Sequence, residues 1–201
     1  MKNILIVGST GQIGSELSIK LRSIYGDSNV ICGYYKPPYP DGFFDWGPTV
    51  EIDATDVNQI ADAVKKYKID TIYNLAAILS ATAEKNPKLG WDVGVGSLMN
   101  CLDVARELKC AVFTPSSIGA FGPDTPKDKT PQDTVQRPNT VYGITKVMGE
   151  LLSDYYYTRW GVDTRSVRFP GIISNLTLPG GGTTDYAVEI FHEALEEGQY
   201  T

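Results

Sequence analysis

Ile4-Leu-Ile-Val7, followed at once by Gly8-Ser-Thr-Gly11-Gln-Ile-Gly14, decides the fold of this chain. Four consecutive apolar residues suit a strand buried on both faces, as in a parallel sheet, and the glycines mark a sharp turn out of it. Helical spacing then runs from Gln12 to Tyr25 through Ile13, Leu17 and Leu21. A strand, a glycine turn and a helix in this order make a phosphate cradle. Gly8 permits the tight turn, Gly11 lets the backbone approach a pyrophosphate, and Gly14 lets helix and strand pack closely. The helix start at Gln12 and Ile13 then faces the phosphates. The spacing departs from G-x-G-x-x-G by one residue between the first two glycines, which leaves the mechanism intact. The bland alternative is an ordinary tight turn between strand and helix; the setting at the head of an alternating chain favours nucleotide binding.

Outward from this unit the pattern repeats. Strands are expected at Val30–Cys32, Val50–Ile52, Thr71–Leu75, Ala111–Thr114 and Asp163–Arg168. Helices are expected at Val57–Tyr67, capped by Asp56, near Lys88–Leu108 and near Val141–Arg159. The stretch from Lys36 to Pro48, rich in proline and glycine, reads as a long irregular loop. Strands alternating with helices, joined by right-handed crossovers, predict an α/β fold with a doubly wound, Rossmann-like parallel sheet. Residues 1–175 are expected to form the dinucleotide-binding domain and 176–201 the start of a substrate-binding region. A helical pattern over Tyr186–Leu195 runs to Thr201 without a closing strand, which reads as a truncation that leaves out most of a smaller C-terminal lobe.

Composition narrows the classes. Of 201 residues 42% are hydrophobic and 21% charged, the balance of an ordinary globular protein. The net charge of -6 argues against a nucleic-acid or anionic-membrane partner, which need a basic field, but leaves room for a small anionic cofactor held by backbone amides. Cys32, Cys101 and Cys110 have no metal-ligand spacing and read as buried free thiols in a reducing compartment. The chain enters its first strand with no leader or membrane-spanning segment before it, pointing to a cytoplasmic protein. His192, and Glu193 with Glu196 and Glu197, read as a solvated helix face, and no metal site is expected.

Tyr142-Gly-Ile-Thr-Lys146 carries the chemistry. Residues four apart share a helix face, so the Lys146 ammonium can approach the Tyr142 phenol and favour its ionised form. Such a phenol accepts the proton of an alcohol. Ser117, after the apolar run Ala111-Val-Phe113, falls at the carboxyl end of a strand, where open α/β sheets bind ligands, and its hydroxyl both donates and accepts. For the cofactor, the second strand should end in an acid that holds the adenosine ribose, yet it reads Val30-Ile-Cys-Gly-Tyr-Tyr-Lys36. NAD remains the expected cofactor, because Asp53-Ala54 offers a hold for the adenine amino group and no arginine follows the strand. Lys36 leaves an opening for a phosphorylated ribose.

These residues resemble the extended short-chain dehydrogenases and, within them, the L-threonine 3-dehydrogenases related to UDP-galactose epimerase. The general motifs are Gly8 to Gly14, Asp53-Ala54, Leu75-Ala76-Ala77, Ser117, Tyr142-x-x-x-Lys146 and Arg168-Phe-Pro170-Gly171. Closer to the threonine enzymes are Leu79 to Pro87, Pro115-Ser-Ser-Ile118, Ala120-Phe-Gly-Pro123, Thr140-Val-Tyr-Gly143 and Pro179 to Ala187. The resemblance implies oxidation of L-threonine to 2-amino-3-oxobutanoate with hydride passing to NAD. Tyr142 would be the general base. Lys146 would lower its pKa and hold the nicotinamide ribose, and Ser117 would orient the substrate hydroxyl. Ser80 and Thr184 would touch the polar groups of the amino acid. The glycine cradle, Leu75-Ala76-Ala77 and Pro170 would line the cofactor, and the related enzymes imply a homodimer; Tyr155-Tyr-Tyr157 and Trp160 read first as helix-packing aromatics and second as part of a dimer surface.

Three features depart from that pattern. Tyr34 stands where these enzymes usually carry the ribose-binding aspartate; Gly94 and Gly96 replace common asparagines and loosen the helix that carries them; and the family continues into a lobe that would exclude water from the reacting carbon. A sugar-nucleotide epimerase or dehydratase of the same superfamily, and a non-catalytic descendant serving as a binding or structural subunit, are the alternative readings.

Overall fold

Ile4–Val7 form β1, the strand on which everything else is hung. The computed structural model describes residues 2–174, 176–177 and 185–199. On one side β1 pairs with β2 (Val30–Tyr34), Val7 opposite Gly33, and on the other with β4 (Thr71–Asn74), Val7 opposite Asn74. β3 (Thr49–Glu51), β5 (Ala111–Ser117) and β6 (Thr164–Phe169) complete a six-stranded sheet in the order β3-β2-β1-β4-β5-β6, with every pairing parallel. This is the expected doubly wound α/β sheet, and its order reverses between β1 and β4.

The two-residue period of a strand explains the two cores. Leu5 and Val7 point into the larger one, with Ile31, Ile60, Ile72, Leu102 and Val112, whereas Ile4 and Ile6 point into the smaller one, with Leu21 and Val30. All four β1 side chains are shut off from solvent, which is why the strand reads as an unbroken apolar run. The smaller core lies under α1 (Gln12–Tyr25), whose sheet-facing side is built from Gly14, Ser15, Ser18, Leu21 and Arg22. Those small residues bring the helix close: a Cβ on Gly14 would sit 2.5 Å from the Gly8 carbonyl oxygen and 2.6 Å from Ser9 Cα. Over the larger core lie α2 (Val57–Tyr67), α5 (Ser97–Leu108) and α6 (Val141–Trp160). The Asp56 carboxylate caps α2 by accepting from Asn58 N, as its sequence position implied.

Two segments differ from expectation. The single helix expected near Lys88–Leu108 is three pieces: α4 (Pro87–Trp91), a wide π-helical turn over Asp92–Gly96, and α5. It follows α3 (Ser80–Lys85). The wide turn falls on the glycines; Gly94 lies against α6, where a Cβ would come 3.2 Å from Thr145 Cβ, and Gly96 borders open space. The Lys36–Pro48 loop is irregular but has its own small core. Tyr34, Tyr39, Phe43 and Phe44 meet mostly edge to face with centroids 5.1–6.2 Å apart, and Phe43 is 1% exposed. The last described helix is α7 (Tyr186–Glu196), which carries His192, Glu193 and Glu196 on exposed positions.

Because the atoms that a Gly14 Cβ would strike are backbone, they cannot swing aside. Gly14→Ala is expected to cost about 1–3 kcal/mol, read as a lower denaturant midpoint with an unchanged m-value.

Candidate active site

The crevice opens at the carboxyl ends of β1 and β4, where the strand order reverses. It is a cleft of about 1420 Å³, and its walls bring together Gly8, Gly11, Gln12, Ile13, Gly14, Leu75, Ala77, Ser80, Ser117, Tyr142, Lys146 and Pro170, residues spread over most of the sequence. Gly8 has a left-handed φ of 82°, and a Cβ there would lie 2.9 Å from Ala76 N. The turn is pinned from outside, since Gly8 N (3.2 Å), Ser9 N (3.0 Å) and Ser9 Oγ (2.9 Å) all donate to the Gly33 carbonyl. α1 then begins after Gly11 with no side chain capping its first amides, and a Cβ on Gly11 would meet only the Gly8 carbonyl, at 3.8 Å. Uncapped amides beside a cleared space suit a pyrophosphate, so the glycine cradle fits a dinucleotide.

Beside β2 the cleft wall is made of other residues than expected. Asp53 and Ala54 do not line the cleft, nor does Ala76. The Asp53 carboxylate is turned to Thr55, accepting from its N (2.9 Å) and Oγ1 (2.7 Å), and these bonds hold its pKa below the usual carboxylate value. The Ala54 carbonyl accepts from Asn100 Nδ2 at 3.0 Å. Tyr34 is drawn into the aromatic cluster, and Lys36, Tyr39, Asp41 and Trp46 of that loop form the wall instead. Asp41 is a wall carboxylate that the sequence did not reveal, because nothing in a proline-rich loop fixes which way an aspartate faces.

At the other end Ser117 is the last residue of β5, and its Oγ accepts from Gly119 N at 3.0 Å. Tyr142 lies in the first turn of α6, which Thr140 caps by accepting from Gly143 N at 3.0 Å while the Glu84 carboxylate accepts from Val141 N at 2.7 Å. Two further glycines bring this helix start onto the turn after Ser117. A Cβ on Gly143 would overlap the Gly119 carbonyl oxygen, and one on Gly119 would lie 3.2 Å from Tyr142 Cε1. Lys146 Nζ sits 5.3 Å from the Tyr142 ring centroid and donates to the Pro115 carbonyl at 2.8 Å.

The phenol's pKa lies above its ordinary value where a lowering was expected: burial raises it, and a hydrogen bond with Ser117 draws it back in part. The ammonium lies over the ring face, bonded to Pro115, and burial lowers its own pKa to about 8. Thr184 and the triple-glycine stretch at 180–182 lie outside the described residues. Ser116 and Glu150, which sequence reading passed over, stand directly behind this group.

The sequence pattern of the NAD dependent epimerase/dehydratase family matches residues 4–198. The chain belongs to that family. Within it, an uncharacterized epimerase/dehydratase of Staphylococcus saprophyticus is 55% identical over 201 residues, which cover 100% of this chain and 63% of that relative. The solved L-threonine dehydrogenase of Clostridium difficile superposes with a TM-score of 0.94 at 55% identity, over 100% of this chain and 63% of that one. The holo form of a GalE-like L-threonine dehydrogenase from Cupriavidus necator gives a TM-score of 0.90 at 49% identity, over 97% and 63% of the two chains. This epimerase/dehydratase family chain thus spans 63% of the length of the curated relative above.

The buried ammonium has a measurable signature. From about pH 8 to 10.5 the unfolded chain holds a proton on Lys146 that the folded chain has released, so stability gains with rising pH across that window; below about 8 the buried charge is a constant cost. Denaturant unfolding of wild type and Lys146→Met over pH 7–10.5 is expected to show the wild type gaining on the variant as pH rises.

Proposed function

We propose that the protein oxidises the side-chain alcohol of L-threonine to 2-amino-3-oxobutanoate, with NAD as the hydride acceptor. The observation that carries this reading is the placement of Ser117, Tyr142 and Lys146 on the wall of the same cleft as the glycine cradle. The likeness to L-threonine dehydrogenases supplies the choice of alcohol.

The cradle from Gly8 to Gly14 would hold the pyrophosphate, and Leu75, Ala77 and Pro170 would flank the rest of the cofactor. When bound, NAD supplies the hydride acceptor and a positive ring that favours a neighbouring phenolate. Tyr142 Oη takes the hydroxyl proton of the substrate as the hydrogen on the same carbon leaves as hydride, so one alcohol becomes one ketone and one proton is released. Ser117 Oγ holds the substrate oxygen in both states, because it donates as well as accepts. Lys146 fixes the helix to β5 through Pro115 and places positive charge beside the developing phenolate. Ser80, at the start of α3 on the cleft wall, is assigned to the polar groups of the amino acid, with Thr184. Residues 1–175 are assigned to the dinucleotide-binding unit and 176–201 to the beginning of the substrate region. A homodimer is proposed through α5 and α6, which expose Met99, Leu151 and Tyr155.

The test is NADH formation from L-threonine and NAD, followed by absorbance, with the 201-residue chain and with its reading frame extended to the length of the relatives. Turnover is expected to rise with pH, since burial holds the phenol above its ordinary range and only the deprotonated form is a base. Tyr142→Phe is expected to lower kcat by about 10²–10⁴-fold. No turnover of L-threonine by the extended protein at any pH would refute the reading.

A further inference from the structure

Behind the Ser117–Tyr142 pair lies a polar cluster that none of the assigned roles uses. Glu150, one helical turn beyond Lys146 on α6, has its carboxylate mostly buried and receives four donors. Arg168 of β6 donates to it through Nε at 2.8 Å and Nη2 at 2.7 Å, Gln136 Nε2 donates at 2.9 Å, and Ser116 Oγ of β5 donates to Oε1. Arg168 Nη1 also reaches the Gln132 carbonyl at 2.8 Å, and the guanidinium stacks 5.2 Å from the Phe121 ring centroid. Ser116 and Arg168 are register partners in adjacent strands, so their side chains leave the sheet on one face, where Glu150 meets both.

The consequence is geometric. Consecutive turns of α6 grip consecutive residues of β5: Lys146 bonds the Pro115 carbonyl and Glu150 bonds Ser116. Ser117 is the next residue, and the phenol it must meet is carried by the same helix one turn earlier. A two-pronged Arg–carboxylate contact fixes orientation as well as distance, and a mostly buried carboxylate with four donors has no cheap alternative arrangement.

We propose that Glu150 is a positioning residue: tied to Ser116 on β5 and Arg168 on β6, it sets the strand end that presents Ser117 at a fixed distance from the phenol of Tyr142. Its effect on turnover rests on the dehydrogenase reading; its effect on the serine–tyrosine contact does not.

The experiment separates the two. The full chain is labelled with 13C at tyrosine Cζ, and the Tyr142 resonance is assigned by its loss in Tyr142→Phe. At neutral pH, without substrate, the resonance in Glu150→Gln is expected to move toward its position in Ser117→Ala. Ser116→Ala removes one donor with little risk to folding and is expected to move it the same way. In kinetic assays Glu150→Gln is expected to lower kcat by about 10- to 100-fold with little change in KM for either substrate, since a misplacement of about 1 Å is enough for such a loss. Arg168→Lys is expected to recover part of what Arg168→Met loses. Adding Glu150→Gln to Ser117→Ala should cost little more than Ser117→Ala alone, because both act on one contact. A Tyr142 resonance at the parent position in both Glu150→Gln and Ser116→Ala overturns the proposal, whatever the activity. A shifted resonance in a protein that does not oxidise threonine upholds it and refutes only the assigned reaction.

Discussion

Backbone pressed on backbone is the constraint from which the cleft follows. At one end α1 can start where it does because Gly14 has no side chain to strike Ser9 and the Gly8 carbonyl; at the other α6 can start where it does because Gly143 has none to strike the Gly119 carbonyl. Each contact brings a helix N-terminus to the mouth of the sheet. The first offers uncapped amides beside a space shaped for phosphate, and the second carries a phenol to a strand-end hydroxyl. The two ends meet in one cleft because β1 and β4 are neighbours at the point where the sheet reverses direction.

Burial gives that cleft its chemistry, and it acts oppositely on the two titrating groups. It disfavours the charged form of each, raising the phenol and lowering the ammonium to about 8. Both groups are thereby held toward their neutral forms in an enclosed setting, where electrostatic effects are strongest. The same burial makes the supporting contacts directional: Lys146 bonds the Pro115 carbonyl and Glu150 bonds Arg168 and Ser116, so the helix and the strand that line the cleft are held at several points in register.

The departures from the wider pattern are structural adjustments around this frame. Tyr34 packs its ring against Tyr39, Phe43 and Phe44, beside the Lys36–Trp46 wall of the cleft. Gly94 lets the π turn lie against Thr145 on α6, one residue before Lys146.

The strands, most helix limits and the cradle were legible in the residue order because each depends on local periodicity or on a single backbone requirement. Ile4–Val7 suited a strand covered on both faces, Asp56 stood where a helix cap is wanted, and the i, i+4 spacing of Tyr142 and Lys146 follows from the helix they share. What the order of residues left open are the matters decided by direction across the sheet. That Lys146 bonds the Pro115 carbonyl, that burial raises the phenol's pKa, that Asp53 faces Thr55 while Asp41 lines the cleft, and that Ser116, Glu150 and Arg168 converge are all set by which elements pack together. Local spacing places a side chain on a face of its own element, but only the packing of that element against others determines what the face meets, how much water remains there, and hence how its charges behave.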